Sequence, residues 1–305
     1  MWSETTIKNN TLDDDTIQEQ ETIQDFMNTR SLFSFLFGGN RKTCNCRCGI
    51  PNRYDRILHK NREKRLVGGE YLRVHEFPWL ALVNVRGQES FGGVIINDRY
   101  ILTAANFLIG VTPYEVKVTL GVHDRCVPDI SSANVSVQNI IIHPDFTLAQ
   151  RIHDIALLRL SNIIPFERRI NPICLPTPGN SYLGQIGTVA GWAQGPTPQG
   201  QSLLTCRPRK SGLPILGEEC STSSTHFTHQ GCLGIVGALS VVCKIDSGGP
   251  VQFRTLGGVY EIIGILTDIN ECSEEPSTAL YSKVNYYLPW IIKHTGDACY
   301  CQKVY

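Results

Sequence analysis

The sequence contains no run of about 18 apolar residues, the length that a transmembrane helix requires, so we expect no membrane span. It has no excess of either charge, because 28 Lys and Arg residues balance 28 Asp and Glu residues. This balance gives no support for nucleic acid or an anionic membrane as a partner. The start, Met1-Trp2-Ser3-Glu4, lacks the basic and apolar regions of a signal peptide. We expect no cofactor and no metal.

Cysteine, in contrast, is abundant, with 12 residues in the chain. A high and even count predicts disulfide bonds formed in an oxidising compartment. We therefore expect a secreted protein whose true N-terminus, with its signal peptide, is missing from this sequence. The apolar run 32–37 is too short and too late to serve as that signal. The alternative, that some cysteines are buried free thiols, stays open at this point.

Composition divides the chain into three parts. Residues 1–43 are polar and acidic, which predicts a disordered segment. Residues 44–65 form a basic, cysteine-containing segment that we interpret as a propeptide. Residues 66–305 alternate short β-forming runs with turn residues, which is typical of an all-β sandwich or barrel. Only the stretch 289–294 predicts a helix, with Pro289 near its start.

The strand predictions and several short motifs define the folded part of the chain. The clearest predicted strands are 79–83, 94–96, 115–120, 188–190 and 260–266. The motifs, in order, are Arg65-Leu66-Val67-Gly68-Gly69, Phe77-Pro78-Trp79, Leu102-Thr103-Ala104-Ala105-Asn106, His153-Asp154-Ile155-Ala156-Leu157-Leu158, Cys174-Leu175-Pro176, Ala190-Gly191-Trp192 and Asp246-Ser247-Gly248-Gly249-Pro250. Together they closely resemble motifs of the trypsin/chymotrypsin-like serine proteases, over roughly residues 44–301. The resemblance implies two packed antiparallel six-stranded β-barrels with a C-terminal helix.

The resemblance assigns Asp154 and Ser247 to the carboxylate and the nucleophile of a catalytic triad. In that family, the residue after Leu-Thr-Ala-Ala is the histidine general base, and here it is Asn106. An amide has no basic lone pair that could take the Ser247 proton near neutral pH. His153 is expected to point away from the site, because adjacent residues of a strand face opposite sides. Loss of one triad member costs about 10⁶-fold in turnover, judged from another serine protease.

The rest of the implied active site is also altered. Ile245 replaces the family's glycine whose N–H stabilises the oxyanion, and its branched side chain resists the backbone angles that glycine permits. Loss of one such donor costs about 10²–10³-fold. Val241 replaces the aspartate at the base of the trypsin-like specificity pocket. The resemblance places Thr267, Ile269 and Ala279 at other pocket positions, and Ile269 would narrow the entrance.

The resemblance also implies an activation switch. A trypsin-like protease would cut between Arg65 and Leu66, and the new amino group of Leu66 would pair with Asp246. We interpret this as a surviving conformational switch that exposes a binding surface. The alternative is that Asp246 and Ser247 are relics held by packing.

The cysteine pattern adds to the resemblance. It implies the pairs Cys48–Cys174, Cys220–Cys232 and Cys243–Cys272, with Cys126–Cys206 as the remaining pair. Cys44 and Cys46 are expected to pair with Cys299 and Cys301 in an order that stays open, an arrangement similar to that of insect secreted members. Residues 44–65 would thus become a tethered light chain after cleavage. The family's bridge beside the catalytic histidine is absent, and Phe91 and Phe107 occupy its two positions.

These observations favour a secreted serine protease homologue without catalytic activity. It would bind extracellular proteins, such as proteases, zymogens or their inhibitors, as a regulator or cofactor of a proteolytic cascade. The alternative is a trypsin-like serine endopeptidase of low or unusual activity. Two further hypotheses are a decoy for protease inhibitors and a gene product without function.

Asn134-Val135-Ser136 is an N-glycosylation sequon in an expected surface loop, and Asn9-Asn10-Thr11 is a weaker one.

Overall fold

A computed structural model gives the fold of the folded part of the chain. The described residues are 42–52, 70–87, 89–127, 132–193, 204–217, 228–234, 247–267 and 278–304. All of them belong to one unit, residues 41–305. The strands are β1 (Thr43–Arg47), β2 (Glu70–Tyr71), β3 (Leu80–Val85), β4 (Glu89–Ile95), β5 (Tyr100–Thr103), β6 (Val116–Leu120), β7 (Ala133–Ile142), β8 (Ala156–Leu160), β9 (Ile186–Ala193), β10 (Leu204–Leu216), β11 (Gln230–Leu233), β12 (Pro250–Arg254), β13 (Tyr260–Leu266), β14 (Ala279–Lys283) and β15 (Tyr300–Gln302).

The first barrel contains six antiparallel strands in the order β3-β4-β5-β8-β7-β6 and is closed. Its strands are short and rich in Val, Ile and Leu, which suit a pleated surface that is buried on its inner side. Val83, Ile101 and Leu158 are fully buried and belong to three different strands of this barrel. The barrel therefore has its own apolar interior.

The second barrel is built from β11-β14-β13-β12-β9-β10, and the pairing of β10 with β11 closes it. Its core includes Leu213, Val251, Ile263 and Tyr281. Strand β2 extends this sheet at its edge, beside β10. The prediction of an all-β fold with two six-stranded antiparallel barrels is thus confirmed.

The two barrels meet closely at a glycine-rich turn that follows Ser247. The Gly92 N–H on β4 donates to the Ser247 carbonyl at 2.9 Å. A Cβ on Gly92 would lie 2.6 Å from Gly249, and one on Gly248 would lie 2.3 Å from the Thr103 hydroxyl. Gly248 also has a φ of +80°, which favours glycine. No side chain fits at these two positions. The glycines therefore allow the close backbone contact that holds Ser247 between the barrels.

A disulfide-bonded clip attaches residues 42–52 to the rest of the chain. Strand β1 runs parallel to β15, and the bridges Cys44–Cys299, Cys46–Cys301 and Cys48–Cys174 hold it there. The structure thereby gives the pairing order that the sequence left open. The predicted bridge between Cys126 and Cys206 is also present. Cys232 is disulfide-bonded, while its predicted partner Cys220 and the predicted pair Cys243 and Cys272 lie outside the described residues. The described cysteines include no free thiol.

The C-terminal helix, α1 (Val284–His294), is longer than predicted. The sequence prediction of 289–294 was wrong about its start, because Pro289 lies inside the helix rather than near its first residue. Val284, Tyr287, Leu288 and Ile291 are buried at the spacing of one helical face, and this packing outweighs the single backbone donor that proline lacks. Among the described residues, no helix has the length and apolar character needed to cross a membrane.

The glycosylation sequon lies on a strand rather than in the surface loop that the sequence suggested. Asn134 is an exposed residue of β7, opposite Thr119 of β6, whose hydroxyl donates to Asn134 Oδ1 at 2.9 Å. We propose that the exposed amide carries an N-glycan. Deglycosylation should then lower the apparent mass of the wild type and of Asn9→Gln, but not of Asn134→Gln. An unchanged mass for the wild type would contradict this expectation.

Candidate active site

The side chain of Asn106 bridges the two other members of the predicted triad. Its Nδ2 donates to Asp154 Oδ2 at 2.6 Å and to Ser247 Oγ at 3.0 Å. Asn106 follows β5, Asp154 precedes β8, and Ser247 precedes β12, so both barrels contribute to the site. The structure therefore brings together the three residues predicted from sequence, with an amide where the family has an imidazole.

The orientation of this amide is fixed by its neighbours. With the amide rotated, Oδ1 would face the Asp154 carboxylate, and two acceptors would meet without a proton between them. The Asp154 carboxylate also accepts the backbone N–H groups of Ala105 at 2.7 Å and Asn106 at 2.8 Å. Asn106 thus donates two hydrogen bonds to this carboxylate, and Ala105 donates a third.

Asp154 is fully buried, and its environment acts on its charge in two opposing ways. Burial is the larger effect and raises the pKa of its carboxyl group, while the hydrogen bonds from Asn106 and Ala105 offset this increase in part. In a catalytic triad, the carboxylate stabilises the imidazolium that forms during proton transfer. Here it faces a neutral amide, so the buried carboxylate orients Asn106 without assisting proton transfer.

The hydrogen bonds of Ser247 have the wrong polarity for a nucleophile. Its Oγ accepts a hydrogen bond from Asn106 Nδ2, and its hydroxyl donates one to the carbonyl of Thr267 at 3.2 Å. Attack requires a base to accept the hydroxyl proton, and the neighbouring amide offers only a donor. Ser247 is also nearly inaccessible, with 3% of its surface exposed. The Ser247 side chain therefore keeps its proton and remains a neutral hydroxyl.

His153 does not replace the missing base, because its ring lies in a separate histidine cluster. It stacks on His143 at 5.0 Å and on His229 at 4.3 Å, and its Nδ1 is 3.0 Å from the Tyr287 hydroxyl. The strand argument made from sequence was wrong, since β8 begins only at Ala156. His153 lies before the strand and has a positive φ of 54°, so the alternation of side chains along a strand does not apply to it.

The described pocket residues are buried. Thr267 is fully buried, and its N–H donates to the Leu280 carbonyl at 3.1 Å. Its hydroxyl is buried without a hydrogen-bond partner. Ala279, the first residue of β14, is 3% exposed. The other predicted pocket, oxyanion-hole and activation positions, namely Arg65, Leu66, Val241, Ile245, Asp246 and Ile269, lie outside the described residues.

Sequence reasoning missed two contacts that support the site. The Ser282 hydroxyl donates to the backbone carbonyl of Asp154 at 2.9 Å, and the Thr103 hydroxyl donates to the Gly92 carbonyl at 2.7 Å. Neither residue stands out in the sequence, because a single hydroxyl in a strand carries no signal of its partner. Both contacts hold backbone segments that carry or approach the triad.

The phenylalanines at the positions of the absent bridge stack against each other. The rings of Phe91 and Phe107 are parallel within 3°, with centroids 3.9 Å apart. Phe107 directly follows Asn106, so this contact joins β4 to the segment that positions the amide. A noncovalent aromatic contact thus connects the segments that the family joins by a disulfide.

We expect Phe107→Ala to lower the free energy of unfolding by about 1–3 kcal/mol, since it removes a half-buried ring and its stacking. Phe107→Leu should cost less than half as much, because most of the apolar contact remains. Urea unfolding of both variants measures the difference. Equal stability of Phe107→Ala and the wild type would show that the stacking contributes nothing.

Two groups of possible metal ligands occur in the described part of the chain. They are Cys44, Asp98 and Cys299, and Asp124, Cys126 and Cys206. In both groups the cysteines are joined in disulfides, so no thiolate is available to bind an ion. Neither group therefore has the chemistry of a metal centre.

Comparisons with known proteins agree with this architecture. Residues 66–291 match the family described as Trypsin. Venom serine protease 34 of Apis mellifera is 30% identical over 279 residues, which cover 86% of this chain and 64% of that protein. Phenoloxidase-activating factor 1 of Holotrichia diomphalia is 30% identical over 274 residues, 80% of this chain and 71% of that protein. Vitamin K-dependent protein C of Mus musculus is 30% identical over 251 residues, but only 53% of its length is covered. The chain thus spans less than two thirds of the first and third of these relatives.

Proposed function

This chain belongs to the trypsin family of serine proteases, and on that premise we propose that it is a secreted member that acts by binding and not by catalysis. One observation carries the proposal: the Asn106 amide donates a hydrogen bond to Ser247 at the position where catalysis needs an acceptor. The site is well packed although it lacks the base, which supports a protein that keeps the protease fold without the catalytic activity. The proposed protein is therefore a pseudoprotease.

The proposed role is that of a regulator or cofactor in an extracellular proteolytic cascade. Two features support this role. The first is the disulfide-bonded fold, which fits an oxidising compartment such as the extracellular space. One relative is named as a factor that activates phenoloxidase, and another as a venom protease. The partners would be proteases, zymogens or their inhibitors, and a trypsin-like protease would activate the protein at Arg65.

A serine substitution separates binding from catalysis. The protein, cleaved at Arg65, is added to extracellular fluid of its source, and the amidase activity that develops there is measured. If the protein acts by binding, Ser247→Ala should change this activity as much as the wild type does. Loss of the effect in Ser247→Ala, with the fold retained, would favour the alternative of an endopeptidase with low or unusual activity.

The alternative rests on the position of Ser247 and Asp154, which the fold still brings to opposite sides of one side chain. Capture experiments before and after cleavage at Arg65 identify the binding partners. A decoy role predicts that protease inhibitors dominate the captured proteins, whereas the cofactor role predicts proteases or zymogens.

A further inference from the structure

An arginine-rich surface lies at the edge of the second barrel, apart from the triad. We refer to Arg73, Arg125, Arg207 and Arg209, together with Tyr71, as the arginine surface. The guanidinium carbons of Arg207 and Arg209 are 5.3 Å and 5.0 Å from the centroid of the Tyr71 ring. The two arginines are both on β10, and Tyr71 is on the neighbouring edge strand β2. One exposed ring therefore positions two cations close together.

The other two arginines lie next to this pair. The backbone N–H of Arg125 donates to the backbone carbonyl of Cys206 at 2.8 Å, which places Arg125 beside the residue that precedes Arg207. Arg73 lines a small crevice with His123 and Pro208, and Pro208 separates Arg207 from Arg209 in the sequence. Arg73 and Arg125 thus lie beside the strand that carries Arg207 and Arg209.

Three of the four arginines have no matching anion among the described residues. In the described ranges, the guanidinium groups of Arg73, Arg125 and Arg207 form no ion pair, whereas the nearby Lys210 pairs with Glu70 and Glu76. Guanidinium groups placed together repel each other. An external anion would relieve this repulsion.

The neighbouring histidine reports the same positive environment. Burial lowers the pKa of His123, and the positive charges of His75 and Arg207 lower it further, against a smaller opposing effect of Asp124. The rings of His75 and His123 are 5.9 Å apart. Asp124 is an acidic neighbour of His123, and it offsets the effect of these positive charges on the His123 pKa only in part.

From this arrangement we infer that the arginine surface binds a sulfated polysaccharide. Guanidinium groups match the paired oxygens of sulfate and carboxylate groups, which such a chain presents repeatedly. Protein interfaces, in contrast, centre on apolar anchors in dry pockets. Here the aromatic ring of Tyr71 already contacts two guanidinium groups, so it serves to position charge. The inference is independent of the proposed loss of catalysis, because the surface shares no residue with the triad.

The test uses heparin as the probe and two variants that remove equal charge. Arg73→Gln/Arg207→Gln removes two cations of the surface. Lys117→Gln/Arg254→Gln removes two exposed cations from β6 and β12 and serves as the control. Heparin affinity of the full chain is measured at several salt concentrations, starting at about 0.15 M. Polyglutamate is the competitor.

We expect the wild type to bind heparin at this salt concentration. The surface variant should bind about tenfold more weakly, and its slope of log Kd against log salt should fall by about 1–2, since two ionic contacts are lost. The control should change affinity by less than about twofold, and polyglutamate should not compete. Absence of wild-type binding, or an equal loss in the control, would overturn the inference. Competition by polyglutamate would replace the polysaccharide with an acidic protein segment.

Discussion

After cleavage at Arg65, the protein should release no measurable product from peptide amides with Arg, Lys, Phe or Leu before the cleaved bond. Asn106 cannot accept the Ser247 proton, and loss of the base alone costs about 10⁶-fold in another serine protease. Rates are measured against an ordinary trypsin-like enzyme at equal concentration. Turnover above about 10⁻⁴ of that enzyme would contradict the expected defect.

Restoring the base should not restore ordinary activity. Asn106→His places an imidazole between Asp154 and Ser247, but Ile245 still replaces the oxyanion-hole glycine. We therefore expect Asn106→His to stay far below an ordinary trypsin-like enzyme. Adding Ile245→Gly should raise kcat by a further 10²–10³-fold or so, the usual effect of one oxyanion donor. Full rescue by Asn106→His alone would show that Ile245, Val241 and Ile269 matter little.

The second large effect concerns cleavage at Arg65 itself. Trypsin should cut the chain there, and the two pieces should separate only after reduction, because three disulfides join residues 42–52 to the main domain. Backbone bonds reinforce the clip: the Tyr260 N–H donates to the Gly49 carbonyl at 2.8 Å, and the Gly49 N–H to the Pro172 carbonyl at 2.9 Å. Each bridge should stabilise the fold by about 2–4 kcal/mol. Gels with and without reductant test this, with Arg62→Gln/Lys64→Gln/Arg65→Gln as the control that lacks the trypsin sites of this stretch.

Cleavage should also raise the melting temperature if the switch has survived. The new amino group of Leu66 would then pair with Asp246, and a buried ion pair is favourable only when both partners are present. Asp246→Ala should abolish the gain while leaving cleavage at Arg65 unchanged. Equal melting temperatures for cut and uncut wild type would identify Arg65-Leu66 as a relic, and partner binding should then not depend on proteolysis.

The sequence predicted those features that depend on local pattern and family motifs. The short apolar runs predicted an all-β fold. The resemblance carried by the motifs implied the two barrels and the Asn106–Asp154–Ser247 constellation. The sequence could not choose between Cys299 and Cys301 for Cys44, because both lie two residues apart near the same end of the chain. The parallel pairing of β1 with β15 makes that choice in three dimensions.

Other details depended on tertiary packing. Pro289 suggested a helix start, but four buried side chains extend α1 back to Val284. Phe91 and Phe107 registered in the sequence only as the loss of a disulfide, whereas the structure shows a stacked contact. The donor role of Asn106 towards Ser247 also required the structure, because the amide can be oriented only from its neighbours.

The central claim is that Ser247 is not an activated nucleophile, and covalent labelling tests it most directly. The protein, cut at Arg65, is treated with a fluorophosphonate probe and examined by mass spectrometry, with Asn106→His and Ser247→Ala treated alongside. We predict no adduct on the wild type, slow labelling of Ser247 in Asn106→His, and none in Ser247→Ala. Stoichiometric labelling of wild-type Ser247 at the rate of an ordinary trypsin-like enzyme would contradict the claim.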